Sequence, residues 1–367
     1  MPGLLSSKIV VACATAVALG PAAAQDGGHY SLADYDTVVK IDAHMHLHNA
    51  ESTFIESARR QNFRVLTINV DYPDFPPIDE QQRVAMALRA VFPATVAWVG
   101  TFPVDGSDQP GWAERTERRI DAEVGAGAVG IKVWKNVGMS LRDAKGRLVM
   151  IDDARFRPVF DDLALKGIPL LGHQGEPYNC WLPLDKMTTN NDREYFAAHP
   201  QYHMALHPEM PGWEDQMAAR NRMLSQHPQL RFIGMHLASQ ERDVDEVGAF
   251  LDRHPTAMVD VAARIGQLQY QSQRDREKVR RFFVRYQDRI LYGSDIEQEP
   301  TQPGAEMAAE TEKAWREQWR YFVTDDTFTV PEVDGPVRGL ALPREVVDKL
   351  YRINAERAFK GAWGTAQ

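Results

Sequence analysis

The stretch Val38-Val39-Lys40-Ile41-Asp42-Ala43-His44-Met45-His46 decides the fold, because a short apolar run rich in β-branched residues ends in two histidines. A run that is nearly continuous, rather than alternating, is typical of a parallel strand covered on both faces. Residues two apart in a strand point to the same face, so His44 and His46 are predicted to project into one cavity. This spacing favours a metal site over two independent packing histidines.

Seven further apolar runs repeat the pattern along the chain. They predict strands over residues 65–70, 95–99, 129–134, 168–172, 230–234, 257–261 and 290–293. Between the strands, apolar residues at helical spacing predict helices over 80–92, 112–124, 217–224, 244–251 and 276–283.

Alternating strands and helices predict an α/β fold. Eight such units favour a closed TIM-type (β/α)8 barrel. An open doubly wound sheet is the alternative, although no glycine-rich dinucleotide motif follows the first strand.

Two segments lie outside the eight units. Between the fifth and sixth strands roughly 55 residues intervene, and this β5–β6 insertion is predicted to form a lid or pocket wall. Its histidines His199, His203 and His207 are predicted to lie on the lid surface. A C-terminal helical extension is predicted over 342–359, after a long polar segment with an aromatic cluster.

The first 24 residues have the pattern of a cleavable signal peptide. Lys8 precedes an apolar run over 9–19, and Ala22-Ala23-Ala24 supplies a small-residue cleavage site. Cleavage after Ala24 predicts a periplasmic or secreted protein, in which 25–367 form a single barrel with its core over about 36–361. A buried helix, a membrane anchor and a lipoprotein acylated at Cys13 are the alternatives.

Composition excludes several kinds of partner. The 367 residues carry a formal net charge of −9, which gives no electrostatic case for nucleic acid or an anionic membrane. Of the two cysteines, Cys13 and Cys180, only the second would remain after cleavage, so no internal disulfide is expected. No membrane partner is expected once the leader is removed.

Three more chemistry-bearing residues fall where predicted strands end. His173 follows the fifth strand, His236 the sixth and Asp295 the eighth. Together with His44 and His46 they would meet at the carboxyl-terminal face of a parallel barrel, where active sites of this fold form.

This set resembles the amidohydrolase superfamily, which places a His-x-His pair on strand one, histidines on strands five and six, and an aspartate on strand eight. The stretches Ile41-Asp42-Ala43-His44-Met45-His46, Gly234-Met235-His236 and Tyr292-Gly293-Ser294-Asp295 are similar to the branch that holds aminocarboxymuconate-semialdehyde decarboxylase and lactonase-type metal-dependent hydrolases. Gly339-Leu340-Ala341-Leu342-Pro343 and Asn354-Ala355-Glu356-Arg357 also resemble that branch. The resemblance covers about residues 36–361.

The resemblance implies that a single divalent metal is held by four residues: His44, His46, His173 and Asp295. Imidazole and carboxylate ligands suit zinc, the expected ion, with manganese or another divalent ion as the alternative. Such a metal lowers the pKa of bound water toward neutrality. Asp295 would accept the water proton, and His236 would contact the substrate and act in general acid–base chemistry.

Three residues near the same face are predicted to bind substrate. Lys132 on the fourth strand could bind substrate, be carboxylated to bridge two metals, or form a packing or salt-bridge contact. The side chain of the neighbouring Lys135 is predicted to point to the opposite face. Arg264, which ends the seventh strand, could hold a substrate carboxylate bidentately or pair on the surface. Glu176, just after His173, could bind substrate or orient a ligand.

The predicted function is an exported metal-dependent hydrolase that attacks a lactone, ester or amide carbonyl with metal-activated water. The alternative is a non-oxidative decarboxylase of an unsaturated or aromatic carboxylic acid, since fold analogy does not separate the two. A minor alternative is an inactive ligand-binding barrel. The expected partner is a small molecule that can bear a carboxylate, and self-association into a homo-oligomer is left open.

Overall fold

The computed structural model describes residues 28–364. The predicted signal peptide, its cleavage site and Cys13 lie outside the described residues. Among residues 28–364, no helix is both long and apolar enough to cross a membrane.

One sheet of nine strands forms the centre of the molecule. The strands are β1 (Lys40–Leu47), β2 (Phe63–Ile68), β3 (Val96–Thr101), β4 (Ile131–Val133), β5 (Leu170–Gly172), β6 (Phe232–Gly234), β7 (Met258–Asp260), β8 (Ile290–Leu291) and β9 (Ile296–Gln298). All of the pairings are parallel, and neighbours follow the chain from β1 to β8. Each predicted strand corresponds to one of β1 to β8, which confirms the TIM-type barrel over the open sheet.

The sheet curls so that the segment after β8 meets β1. The amide of Ala43 donates to the carbonyl of Tyr292 at 3.0 Å, and the amide of Asp295 donates to the carbonyl of His44 at 2.8 Å. β9 then pairs with the end of β1, from Met45 to Leu47. Both edges of the sheet are therefore joined at the strand that carries the histidine pair.

Thirteen α-helical segments surround the sheet within the described residues. They are α1 (Ser52–Arg60), α2 (Ile78–Val91), α3 (Trp112–Gly125), α4 (Asn136–Met139), α5 (Arg157–Lys166), α6 (Asn190–Ala198), α7 (Trp213–Gln226), α8 (Met235–Ala238), α9 (Val244–Arg253), α10 (Ile265–Arg285), α11 (Gly304–Val323), α12 (Arg344–Asp348) and α13 (Asn354–Ala358). Of these, α4 and α8 are single irregular turns. Local sequence signals set the ends of regular helices such as α5. This helix has a proline in its first turn and ends at Gly167, whose φ is 65°.

The β5–β6 insertion contains short 3-10 helices, α6 and a small core of its own. The 3-10 helices are Tyr178–Trp181, Leu184–Lys186, Pro200–Tyr202 and Met204–Leu206. Cys180, Met187, Phe196 and Met204 are buried together there. The prediction that His203 lies on the lid surface is wrong, because its ring is buried and its Nε2 contacts the carbonyl of Leu182 at 2.7 Å.

The C-terminal part completes the barrel wall. The predicted extension over 342–359 is a helical run in which a π-helical turn, Lys349–Ile353, joins α12 to α13. The long polar segment before it contains α11, which packs against α1 and buries Trp315 and Trp319. A short antiparallel hairpin, β10 (Thr327–Thr329) and β11 (Pro336–Arg338), follows α11.

Candidate metal centre

The histidine pair projects from β1 at a local irregularity of the strand. Asp42 pairs with Val65 and Met45 with Thr67, so three steps along β1 face two along β2. Such bulges re-aim side chains and are common beside active sites. The two imidazole rings of His44 and His46 lie with their centroids 5.3 Å apart. The prediction that they share one cavity agrees with this geometry.

The second ring nitrogen of each histidine faces a buried oxygen. His44 Nδ1 lies 2.7 Å from the Asp260 carboxylate, and His46 Nδ1 lies 2.7 Å from the carbonyl of Ile68. Because these oxygens can only accept, each Nδ1 carries the proton and donates. In the neutral form of each ring the Nε2 atom is therefore left with a lone pair.

Both lone pairs are directed at one carboxylate oxygen. The Oδ1 atom of Asp295 lies 3.0 Å from His44 Nε2 and 3.3 Å from His46 Nε2. His44 Nε2 is buried without a hydrogen-bond partner among the described residues, and ligand atoms of these three residues lie within 4.8 Å of one another. Three electron-pair donors that converge in this way fit a divalent cation, and their N and O chemistry suits zinc.

Asp295 reaches this position through an uncommon backbone conformation. Its φ of 65° lies in the left-handed region, which aspartate tolerates better than most residues. Glycine at 293 lets the chain approach β1, because a Cβ atom there would lie 2.7 Å from the Cβ of His44. The Asp295 side chain remains 26% exposed, whereas His44 is fully buried, so the opening to solvent lies at Asp295.

Electrostatics keep this carboxyl ionised. Burial favours its neutral acid, but His44 and His236 outweigh burial and hold the pKa of Asp295 well below its usual range. For His44, burial acts to lower the pKa, but the carboxylates of Asp295 and Asp260 outweigh burial, so the pKa is raised above its ordinary value. A proton and a cation would therefore compete for His44 Nε2.

His173 and His236 form a second pair beside the first. His236 Nδ1 donates to the carbonyl of Ala262 at 2.9 Å, and its Nε2 lies 3.2 Å from His173 Nδ1. His173 Nε2 is buried without a hydrogen-bond partner among the described residues. His173 lies outside the group of three ligand atoms, so its role as fourth ligand stays a prediction. Burial lowers the pKa of both rings well below the usual value.

Two buried carboxylates that were not predicted from the sequence support the site. Asp260 on β7 accepts from His44 and also from the backbone amide of His236, at 2.6 Å. Asp42 on β1 accepts from the amides of His44 and Ser294 and from the indole of Trp315. The available signal was a carboxylate inside an apolar strand, as in Met258-Val259-Asp260-Val261. A buried charge of this kind needs partners.

The predicted substrate-binding residues surround the centre at different depths. Lys132 is buried on β4, where burial lowers its pKa to about 8 while Asp295 and Asp260 act in the opposite direction. Arg264 is buried before α10, with its Nε 4.0 Å from Glu241. Burial raises the pKa of Glu241 to about 7. Neither Lys132 nor Arg264 lies at the surface, so neither forms a simple solvated ion pair.

Glu176 and Lys135 pair with each other at the edge of a cavity. This cavity of about 240 Å³ lies between the β4 end and the insertion. Tyrosine, tryptophan and methionine supply half of its lining and polar side chains the other half: Tyr72, Trp134, Lys135, Asn136, Met139, Ser140, Glu176, Tyr195, Gln201, Tyr202, Met204, His207, Glu209 and Met210. A series of ring contacts joins it to the metal centre: Tyr72 packs on Phe75 at 5.1 Å, and Phe75 on His46 at 5.1 Å.

Comparison with known proteins agrees with this architecture. A family model described as "Amidohydrolase" matches residues 41–361. No curated protein matches the chain in sequence.

The chain is also similar to solved structures at low sequence identity. A 2,6-dihydroxybenzoate decarboxylase solved with 2,6-dihydroxybenzoate is 14% identical, with a TM-score of 0.50, over 88% of this chain and 99% of that chain. A 4-oxalomesaconate hydratase from Rhodopseudomonas palustris is 11% identical, with a TM-score of 0.44, over 88% and 96%. An amidohydrolase 2 from Bifidobacterium longum subsp. infantis is 13% identical, with a TM-score of 0.43, over 88% and 98%. At these identities the likeness concerns the fold alone.

Proposed function

The chain belongs to the amidohydrolase family that its residues 41–361 match, and on that premise we propose that it is a metal-dependent hydrolase. The bond cleaved is an ester, lactone or amide bond of a small organic acid. The observation that carries the proposal is the convergence of His44 Nε2 and His46 Nε2 on Asp295 Oδ1, at 3.0 and 3.3 Å. Two neutral imidazoles and an ionised carboxylate supply the ligands that a hydrolytic zinc site uses.

The metal would be held by His44, His46 and Asp295, with His173 as the fourth ligand. When bound there, a divalent ion polarises a carbonyl oxygen and makes water more acidic. Asp295 is the site carboxylate that is open to solvent, so it can take a proton from an incoming water through its second oxygen. Its low pKa suits a group that must be ionised at neutral pH.

His236 is the proposed proton carrier to the leaving group. Its Nδ1 donates to the carbonyl of Ala262, so the nitrogen that can gain or lose a proton is Nε2, which faces His173 Nδ1 at 3.2 Å. His236 Nδ1 lies 3.9 Å from Asp295 Oδ2, which puts the ring next to the carboxylate that receives the water proton. Burial lowers the pKa of His236, so the ring starts neutral and can accept.

The proposed substrate combines an anionic group with an apolar body. Lys132 and Arg264 are buried cations next to the centre, and a substrate carboxylate would supply the counter-charge that a buried cation needs. The cavity of about 240 Å³ would take the apolar part, because it exceeds the about 150 Å³ that suffices for a benzene ring. Its tyrosines, tryptophan and methionines favour a flat, polarisable group.

Decarboxylation is the competing reaction. The solved structure with a TM-score of 0.50 is that of a decarboxylase with an aromatic acid bound, and buried cations would hold the carboxylate of such a substrate as well. The test is a panel of aryl esters, lactones, amides and aromatic acids, incubated with zinc-loaded and with manganese-loaded protein. Acid release without carbon dioxide supports hydrolysis, whereas carbon dioxide release from the free acids replaces it with decarboxylation.

The panel needs controls for contaminating activity. Arg264→Met and Lys132→Met should raise KM for substrates with a carboxylate and leave KM for neutral esters unchanged. If neither variant distinguishes charged from neutral substrates, the anionic-substrate part of the proposal is wrong. If no class of substrate is turned over in the presence of any divalent ion, the enzymatic proposal itself fails.

We also propose that the protein is exported to the periplasm or secreted. The apolar run over 9–19, Lys8 before it and the small residues 22–24 support a cleavable leader. Expression of the full chain in a Gram-negative host, followed by fractionation and N-terminal sequencing, tests this. A mature chain that begins at Gln25 in the periplasm is expected; an intact leader in the cytoplasmic fraction would contradict export.

A further inference from the structure

The turn that carries His236 has an unusual backbone. His236, Leu237, Ala238 and Ser239 have φ values of 58°, 56°, 56° and 53°, so four consecutive residues are left-handed. None of the four is glycine, and all are buried. For residues with a side chain the left-handed conformation is normally adopted singly and not in runs, because the Cβ atom crowds the following carbonyl.

The turn closes two hydrogen bonds of its own, from the Ser239 amide to the His236 carbonyl at 3.0 Å and from the Gln240 amide to the Leu237 carbonyl at 3.1 Å. These bonds do not remove the Cβ crowding of the left-handed conformation, and side chains of neighbouring elements restrain the turn further. Two side chains of α7 donate to consecutive carbonyls of the turn. Arg220 Nη1 donates to the carbonyl of Ala238, and Trp213 Nε1 donates to that of Ser239 at 2.8 Å. From the other side, the His236 amide donates to Asp260 Oδ1 at 2.6 Å. The turn is therefore fixed at its start by β7 and at its end by α7.

Close packing around the turn is also consistent with its left-handed conformation. A Cβ atom at Gly234 would lie 2.6 Å from the Cβ of Ala238, so glycine is required where β6 enters the turn. Arg220 is 1% exposed, and its other contacts are neutral: Gln240 Oε1 at 2.8 Å, Asn221 and the ring of Phe250. Among residues 28–364 no carboxylate forms an ion pair with Arg220. Its charge is directed at the turn, where it strengthens the bond to a carbonyl.

We propose that Arg220 and Trp213 are positioning residues for His236: together they clasp the left-handed turn so that the imidazole stays beside the metal centre. This inference rests on the proposed function for the role of His236, but the clasp itself does not depend on it. Neither residue touches the ligand atoms. They act through backbone geometry, since His236 is the first residue of the turn that they close.

The test compares Arg220→Met and Trp213→Phe with matched controls. Arg231 also donates to two backbone carbonyls, of Gly167 and Ala358, and Trp112 donates to the carbonyl of Pro103, but these sites lie away from the turn. Arg231→Met and Trp112→Phe therefore report the cost of a lost bond without the clasp. A readout that needs no substrate is the NMR spectrum of protein with 15N-labelled histidine, in which the His236 ring is assigned by its loss in His236→Asn.

The expected result is specific to the clasp variants. In Arg220→Met and Trp213→Phe the His236 signals shift or broaden, while those of His44 and His46 stay; the controls leave all three unchanged. With a substrate, kcat should fall by between about tenfold and about 100-fold with KM unchanged, as for a misplaced catalytic group. Adding Ala238→Gly to Arg220→Met should recover part of kcat and of the native spectrum, because glycine adopts positive φ without the clasp.

Two outcomes would overturn the inference. The first is an unchanged His236 ring in folded Arg220→Met and Trp213→Phe, which would make the two residues ordinary stabilising contacts. The second is an effect that the controls reproduce. Absence of turnover in every variant and in the native chain would instead count against the proposed function, and the NMR comparison would still decide on the clasp.

Discussion

Buried acceptors behind the histidines determine what this centre can bind. Asp260 and the carbonyl of Ile68 fix the protons on the Nδ1 atoms of His44 and His46, so the Nε2 atoms become electron-pair donors. Without those acceptors each ring could turn or change tautomer, and convergence on Asp295 would be lost. The ligands and the groups that orient them therefore form one unit, spread over β1, β2 and β7.

Asp260→Asn should weaken metal binding without unfolding the protein. Asparagine keeps the shape of the side chain, but its amide cannot replace both carboxylate oxygens, one of which orients His44 while the other accepts from the His236 amide. Loss of such an orienting carboxylate typically reduces metal affinity by about 10- to 100-fold. Competition of the protein with a chromogenic zinc chelator measures this directly.

Asp161→Asn is the matched control for this substitution. Asp161 pairs with His227 Nδ1 at 2.8 Å, the same type of contact, on the outside of the barrel. Zinc affinity should be native in this variant. If Asp260→Asn also binds zinc with native affinity, the orienting role assigned to Asp260 is wrong.

His236→Asn should abolish turnover while the protein still binds metal. The ring is adjacent to the three converging ligands but belongs to the pair with His173. Removal of a general acid–base group typically costs about 10²- to 10⁴-fold in rate. Steady-state kinetics and metal analysis on the same preparation separate the two effects. Metal loss that parallels the loss of activity would make His236 a ligand instead.

At the scale of elements, the barrel strands could be predicted because each is buried on both faces and reads as an apolar run. The hairpin of β10 and β11 could not, since its strands are three residues long and mostly exposed. α11 was missed because its apolar residues are mixed with charges over 20 residues. The aromatic side chains of α11 define a buried face only through their tertiary contacts. Trp315, for example, stacks on Phe63 with ring centroids 3.7 Å apart.

The ligand positions could be predicted from strand ends, but their supporting contacts could not. His44, His46 and Asp295 each follow or end an apolar run, which gives their place on the barrel. The clasp from Arg220 and Trp213 depends on backbone dihedral angles of residues 236–239, and nothing in Met235-His236-Leu237-Ala238-Ser239 suggests a left-handed turn. Tertiary contacts impose that conformation against local preference.

The contact of α3 with β3 gives a prediction for stability against pH. Glu123 on α3 is buried against Gly100 of β3, and burial raises its pKa to about 7, although Arg119 pairs with it. The folded chain therefore holds this proton more tightly than the unfolded chain, whose pKa is near 4.5. Protonated Glu123 therefore contributes to the unfolding free energy at low pH, and this contribution is lost as pH rises from about 4.5 to about 7.

Glu123→Gln should remove this dependence. At about 1.4 kcal/mol per unit of pKa difference, we expect the variant to be more stable than the native chain by about 3 to 4 kcal/mol at pH 8, and equal to it at pH 4. Urea unfolding of both chains across this range measures the difference. Glu114→Gln, in the exposed first turn of the same helix, should show no such crossover. A constant difference at every pH would contradict the raised pKa.

At the scale of the whole molecule, the centre joins elements that are distant in sequence. Its ligands come from the first strand and from the segment after the eighth, where the barrel closes between Ala43 and Tyr292 and between His44 and Asp295. A cation held there would bind the folded chain and have no comparable site in the unfolded chain. Metal binding should therefore appear as stability of the entire barrel rather than of one loop.

Removal of metal should lower the melting temperature, and zinc should restore it. At a free zinc concentration of 100 times Kd, the unfolding free energy rises by about 2.7 kcal/mol, which for a chain of this length is roughly 4 °C. Calorimetry of chelator-treated protein, with and without zinc, measures the rise. The rise should vanish in His44→Asn/His46→Asn and persist in His199→Asn/His207→Asn, two histidines of the insertion that lie outside the centre. A rise that survives in the first double variant would place the stabilising ion elsewhere.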